Sequence, residues 1–116
     1  GRKADSGSML LQIYFKVPAE RAAEFEKMFA DTYVPALKVQ EGYIRSNLLQ
    51  VFPADVLEKL GAAPTEFNYQ MELRFDTEEN RQRWAASEEH SEVWPLAQQM
   101  ARKVAHRGYD IAKDDW

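Results

Sequence analysis

The stretch FNYQMELRF at 67–75 alternates without a fault. Phe67, Tyr69, Met71, Leu73 and Phe75 fall on one side, and Asn68, Gln70, Glu72 and Arg74 on the other. A strict period of two predicts a strand with one apolar and one polar face. MLLQIYFKV (9–17) repeats the pattern, with Leu11, Ile13, Phe15 and Val17 alternating with Gln12, Tyr14 and Lys16. GYIRSNLLQVF (42–52) and the shorter RGYDIA (107–112) read as two further strands. Each apolar strand face needs a covering layer.

The covering layer is legible between the strands. In 19–40, Ala22, Phe25, Phe29, Tyr33, Ala36 and Leu37 recur at steps of three and four, which is one helical face turned toward a sheet. Pro18 suits a first helical turn, Pro35 removes a backbone donor and should kink the helix, and Gly42 is the expected stop. The segment 53–66 is too long for a tight hairpin. Val56, Leu57 and Leu60 predict a short amphipathic turn ending at Gly61, either covering a site or interface or forming a plain surface excursion. The segment 77–105 is helical by composition. The order is β-α-β-β-α-β, an α+β, ferredoxin-like split arrangement: an antiparallel four-stranded sheet with helices on one face. The other face, carrying Gln70, Glu72 and Arg74 among apolar residues, is expected to meet a second copy of the chain.

RWAASEEHSEVWP (83–95) holds two of the three tryptophans and one of the two histidines. On one continuous helix, Val93, Leu96, Met100 and Val104 form a stripe that leaves Asn80 and Trp84 nearly opposite, in water. A break within 87–91 resolves the conflict. Ser87 and Ser91 are both good N-caps. With Ser91 as the cap, Pro95 falls in a first turn, where its missing donor matters little. Deep inside a helix it would cost about 3 kcal/mol. The reading is a short helix at 77–86 anchored by Trp84, then a longer one from 91 to 105. His90 and Trp94 then gather with Trp84 at the break, where a cavity can open. The alternative is structural: Trp84 packs the space shut and His90 is a solvated cap.

Other chemistry is scarce. There are no cysteines, so no disulfide, thiol nucleophile or thiolate metal site. His90 and His106 lack metal-ligand spacing, no glycine-rich phosphate loop or nucleophile elbow occurs, and Glu78-Glu79, Glu88-Glu89 and Asp114-Asp115 read as solvated pairs. The net charge of −4 argues against nucleic acid, and no apolar run is long enough for a membrane span. GRKADSGS (1–8) reads as an expression remnant, leaving 9–116 as a single domain whose default location is cytoplasmic.

YVPALKVQEGYIRSNLLQ (33–50), YQMELRFDTEENRQRWAASEEH (69–90) and the element order resemble the dimeric α+β barrel superfamily, most of all the antibiotic biosynthesis monooxygenase group. The resemblance implies a homodimer formed through the sheet faces. It also implies oxidation of an aromatic or polyketide-like molecule without cofactor or metal. Asn80 and Trp84, one turn apart, match the group's pocket pair, and His90 stands in for its proton-transferring tyrosine. Asn80 and His90 are thus the candidate catalytic residues. Trp84, Trp94, Tyr69 and Tyr14 are the candidate substrate contacts. No residue matches the group's pocket arginine. The sister branch that degrades haem uses a first-strand asparagine, which LLQIYFKV lacks. A non-catalytic small-molecule-binding or stress-associated barrel, or a purely structural dimer, fits the same sequence.

Overall fold

The computed structural model describes residues 8–115. Four antiparallel strands, β1 (Met9–Lys16), β2 (Tyr43–Gln50), β3 (Tyr69–Phe75) and β4 (Lys103–Asp110), form one sheet in the order β2-β3-β1-β4. β1 lies in the middle, pairing Ile13 with Met71 on one side and with His106 on the other. Residues directly opposite share a face. One face therefore carries Ile13, Phe15, Tyr69, Met71, Leu73 and Phe75, all buried beneath the helices. Gln12, Tyr14, Gln70, Glu72 and Arg107 belong to the open face. Among the described residues no helix is long and apolar enough to cross a membrane. Residues 1–7 of the stretch read as an expression remnant lie outside the described residues, as does Trp116; Ser8 is buried, and its carbonyl accepts from the Ile111 amide at 3.1 Å.

The first helical stretch is not one regular helix. A 3-10 turn (Ala19–Arg21) leads into α1 (Ala22–Met28), then a π-helical turn (Phe29–Tyr33), then α2 (Val34–Lys38). The discontinuity expected at Pro35 falls just upstream of it, where the Val34 amide reaches back five residues to the Phe29 carbonyl. Phe25, Phe29, Tyr33 and Leu37 are all buried at a spacing of four. In a regular helix each step of four drifts about 40°, so Leu37 would end about 120° from Phe25. A π turn adds a residue without completing a further turn, which takes back about 100°. The four side chains therefore stay on one face.

The chain reverses after α2 at Gly42, whose φ is +82°. A β-carbon there would lie 2.2 Å from the Asp76 carboxylate and 2.5 Å from the Asn80 amide nitrogen. The Asp76 amide donates to the Gly42 carbonyl at 2.9 Å, and the Asn80 side chain donates to the Asp76 carboxylate at 2.8 Å. The insertion folds as α3 (Ala54–Lys59), with Gly61 at φ +67° after it.

The last helical region is α4 (Glu78–Ala85) and α5 (Glu88–Met100), broken between Ala86 and Ser87. The cap is Ser87, not Ser91. The Ser87 hydroxyl donates to the Trp84 carbonyl at 2.7 Å and accepts from the His90 amide at 3.1 Å. Ser91 instead donates back to the Glu88 carbonyl at 2.6 Å, inside the first turn. Because α5 begins at Glu88, Pro95 stands in its interior rather than its first turn. Val93, Ala97 and Met100 hold the helix down, while Leu96 is exposed. The helix stops at Met100, five residues short of the expected end, because Ala101 turns extended and Val104 pairs with Phe15 in β4. Val104 fits a helical period by sequence but serves a strand.

Two stability measurements check these devices. Ser87→Ala removes one acceptor for α5 and one donor for α4, and denaturant titration should show a loss of about 1 kcal/mol. Gly42→Ala meets both a left-handed backbone and a blocked β-carbon. It should cost more than about 1 kcal/mol.

Candidate functional site

Trp84 hangs from α4 toward the sheet and is 2 % exposed. Thr77 caps α4 by accepting from the Asn80 amide at 3.1 Å, which fixes the phase of the helix and so the direction of Trp84. Across the break, the His90 ring meets Trp84 edge-on, with centroids 4.9 Å apart at 84°. One turn on, Trp94 lies nearly parallel to His90 at 6.0 Å and 15°. Tyr33, at the end of the π turn, also meets Trp84 edge-on, at 5.8 Å and 77°.

These rings border a cavity of about 130 Å³ floored by Leu11 and Ile13 of β1. Arg81 and His106 complete its polar side. Through Leu11, Arg81 and His106 it continues into an open groove of about 290 Å³ along β4. The uncovered part of β4, with Gly108 facing open space, leaves that groove room. Burial, aided by the charge of Arg81, holds the His90 imidazole below its ordinary value of 6.5. His90 is therefore neutral at pH 7 and able to accept a proton. Arg81 is held by Glu78 through bonds of 2.9 and 2.6 Å, which orient its guanidinium. The Tyr33 hydroxyl is buried and has no hydrogen-bond partner among the described residues. Burial pushes its pKa far above the ordinary tyrosine value.

Of the residues singled out in the sequence, the structure brings His90, Trp84 and Trp94 to this cavity and leaves three elsewhere. Asn80 does not border it. Its amide is spent on Asp76 and on accepting from Arg83 at 3.0 Å, buttressing the Gly42 turn. On a helix, positions 80 and 81 flank Trp84 on opposite sides, so Arg81 reaches the cavity and Asn80 does not. Tyr69 is buried nearer α1. Its hydroxyl donates to Glu26 at 2.5 Å, and burial together with that carboxylate raises its pKa to about 12. Tyr14 lies on the open face, donating to Gln12 at 2.6 Å. Tyr33, Arg81 and His106 line the cavity without having been singled out as site residues in the sequence. Each carries a signal: a four-residue step from Phe29, a three-residue step before Trp84, and alternation with Val104.

A larger hollow, about 660 Å³, sits within the insertion between Val51 and Asn68. Its walls include no histidine, and its Glu66 is engaged by Lys103 at 2.7 Å. Among the described residues no three histidine, aspartate or glutamate side chains converge to hold a metal ion.

No protein-family profile and no curated protein sequence matches the chain. Solved structures do. A point mutant of SnoaB, a cofactor-independent oxygenase from Streptomyces nogalater, superposes with a TM-score of 0.73 at 18% identity, over 93% of this chain and 96% of that one. Hydroxynitrile lyase from Passiflora edulis gives 0.75 at 9% identity, over 93% and 96%. A dimeric protein of unknown function with a ferredoxin-like fold, from Bacteroides fragilis, gives 0.68 at 13% identity, over 90% and 96%. At these identities the likeness is one of fold. The chain has a ferredoxin-like α+β fold, and it superposes over most of its length on a cofactor-independent oxygenase and on a dimeric protein of that fold.

Proposed function

We propose that the protein is a monooxygenase that acts on a small electron-rich aromatic, with His90 as the proton acceptor. The observation that carries this reading is a neutral imidazole set between two indoles on the wall of an apolar cavity. The volume of about 130 Å³ fits one ring, since a cavity of ~150 Å³ is known to admit benzene. A larger substrate would extend along the groove beside β4. Trp84 and Trp94 offer ring faces and edges to the substrate. His90 takes the phenolic proton, and the electron-rich phenolate then reduces dioxygen. One oxygen atom enters the ring, and the other leaves as water with the two hydrogens lost from the ring carbon and the hydroxyl. The fold likeness to SnoaB supports the oxygenase reading.

The same cavity also suits binding without turnover, a second reading that the small volume favours. Oxygen uptake with a panel of phenols and hydroquinones separates the two. Turnover should fall about 10² to 10⁴-fold in His90→Ala with the fold retained. The wild-type rate should be constant above pH 6.5 and fall only below it, through the lowered histidine pKa. The same shift makes the native state harder to protonate than the unfolded one. The His90 contribution to stability is therefore present above pH 6.5 and lost as pH falls toward its folded value. Uptake that ignores His90→Ala refutes the catalytic role.

The working unit is proposed to be a homodimer paired through the open sheet face. On that face Gln12 and Gln70 both donate to Glu72, at 3.0 and 2.9 Å, so its polar groups are partly satisfied within one copy. Leu49 and Tyr109 are left exposed beside them. A face of this mixed kind suits a partner more than water. Sedimentation at micromolar concentration should give twice the chain mass of 13.4 kDa, and a monomer mass refutes the pairing.

A further inference from the structure

We infer that the Tyr33 hydroxyl is a ligand-binding group, donating a hydrogen bond to an oxygen on the aromatic ring seated beside Trp84. The inference rests on the reading that this cavity takes an aromatic ring. It adds what holds the oxygen of that phenol: the hydroxyl of Tyr33, at the end of the π turn.

Three observations converge. First, Tyr33 borders the cavity and is wholly buried, yet its hydroxyl has no partner among the described residues. Buried hydroxyls without partners are uncommon, because each forfeits the hydrogen bonds it made to water. Phenylalanine would fill the same space between Phe29 and Trp84 without that cost, so packing alone does not account for a tyrosine. Second, Tyr33 closes a π turn, an irregularity that carries the side chain back onto the buried face. Such turns recur at functional positions. Third, Tyr33 and His90 meet the same indole and line the same cavity, and their roles are opposite. Buried tyrosine keeps its proton and donates; buried imidazole stays neutral and accepts. A ligand hydroxyl that gives its proton to His90 leaves an oxyanion, the acceptor that a neutral tyrosine binds best.

The test compares phenol with toluene, two rings that differ by the hydroxyl, bound to wild type and to Tyr33→Phe. Binding is followed by NMR titration under anaerobic conditions. Phenol should bind Tyr33→Phe about three- to tenfold more weakly, the usual worth of one hydrogen bond, with toluene unchanged within about twofold. The free variant should melt at a higher temperature than wild type, because an unsatisfied group has been removed. Equal phenol binding by the two proteins overturns the inference. So does a parallel loss of both ligands, a wild type that binds neither, or a lowered melting temperature. Oxygen consumption is not read in this experiment. A protein that binds phenol through Tyr33 without oxidising it would sink the oxygenase reading and leave this one standing.

Discussion

The hydroxyl of Ser87 governs the arrangement of everything around it. It donates to the Trp84 carbonyl in the last turn of α4 and accepts from the His90 amide in the first turn of α5, so one oxygen atom closes one helix and opens the next. Without that reset of phase, the periodicity that buries Val93, Ala97 and Met100 would turn Trp84 outward. With it, Trp84 and Trp94 both face the sheet, and His90 is clamped between them. The site is thus a by-product of helix capping: the aromatic cluster sits where two helices must share one boundary.

Core and site are not alternatives for Trp84. It belongs to the buried cluster with Phe25, Leu37 and Leu73, and it also forms the cavity wall. Asn80 shows the reverse. Its spacing to Trp84 has the look of a pocket pair, yet its side chain is consumed by the turn at Gly42. A residue one turn from a site residue shares its face only loosely, and local hydrogen-bond demand decides which flank each takes.

Much of this was legible in the sequence, for physical reasons. Alternation in 67–75 and 9–17 survives folding because half-buried strands cannot slip by one residue without exposing their core. The helix break was legible because Trp84 and Val93 cannot share a phase. Which serine caps it was not, since Ser87 and Ser91 carry the same chemistry and differ only in which amide each can reach. The start of β4 was hidden because Val104 satisfies both a helical step from Met100 and a strand alternation with His106. That single ambiguity also concealed His106 as a cavity residue. Arg81 lay hidden for another reason: its place depends on which flank of α4 faces the groove, and that is set by tertiary packing.

The π turn adds one residue to the first helical stretch without adding a turn. Its effect is a rotation of everything after it. A chain of this fold lacking one residue there would wind as a regular helix and bring a neighbour of Tyr33 to the cavity in its place. Length variation of a single residue in that helix is thus a route by which related chains can exchange the side chain that this helix gives to the pocket, while every residue of the sheet stays as it was.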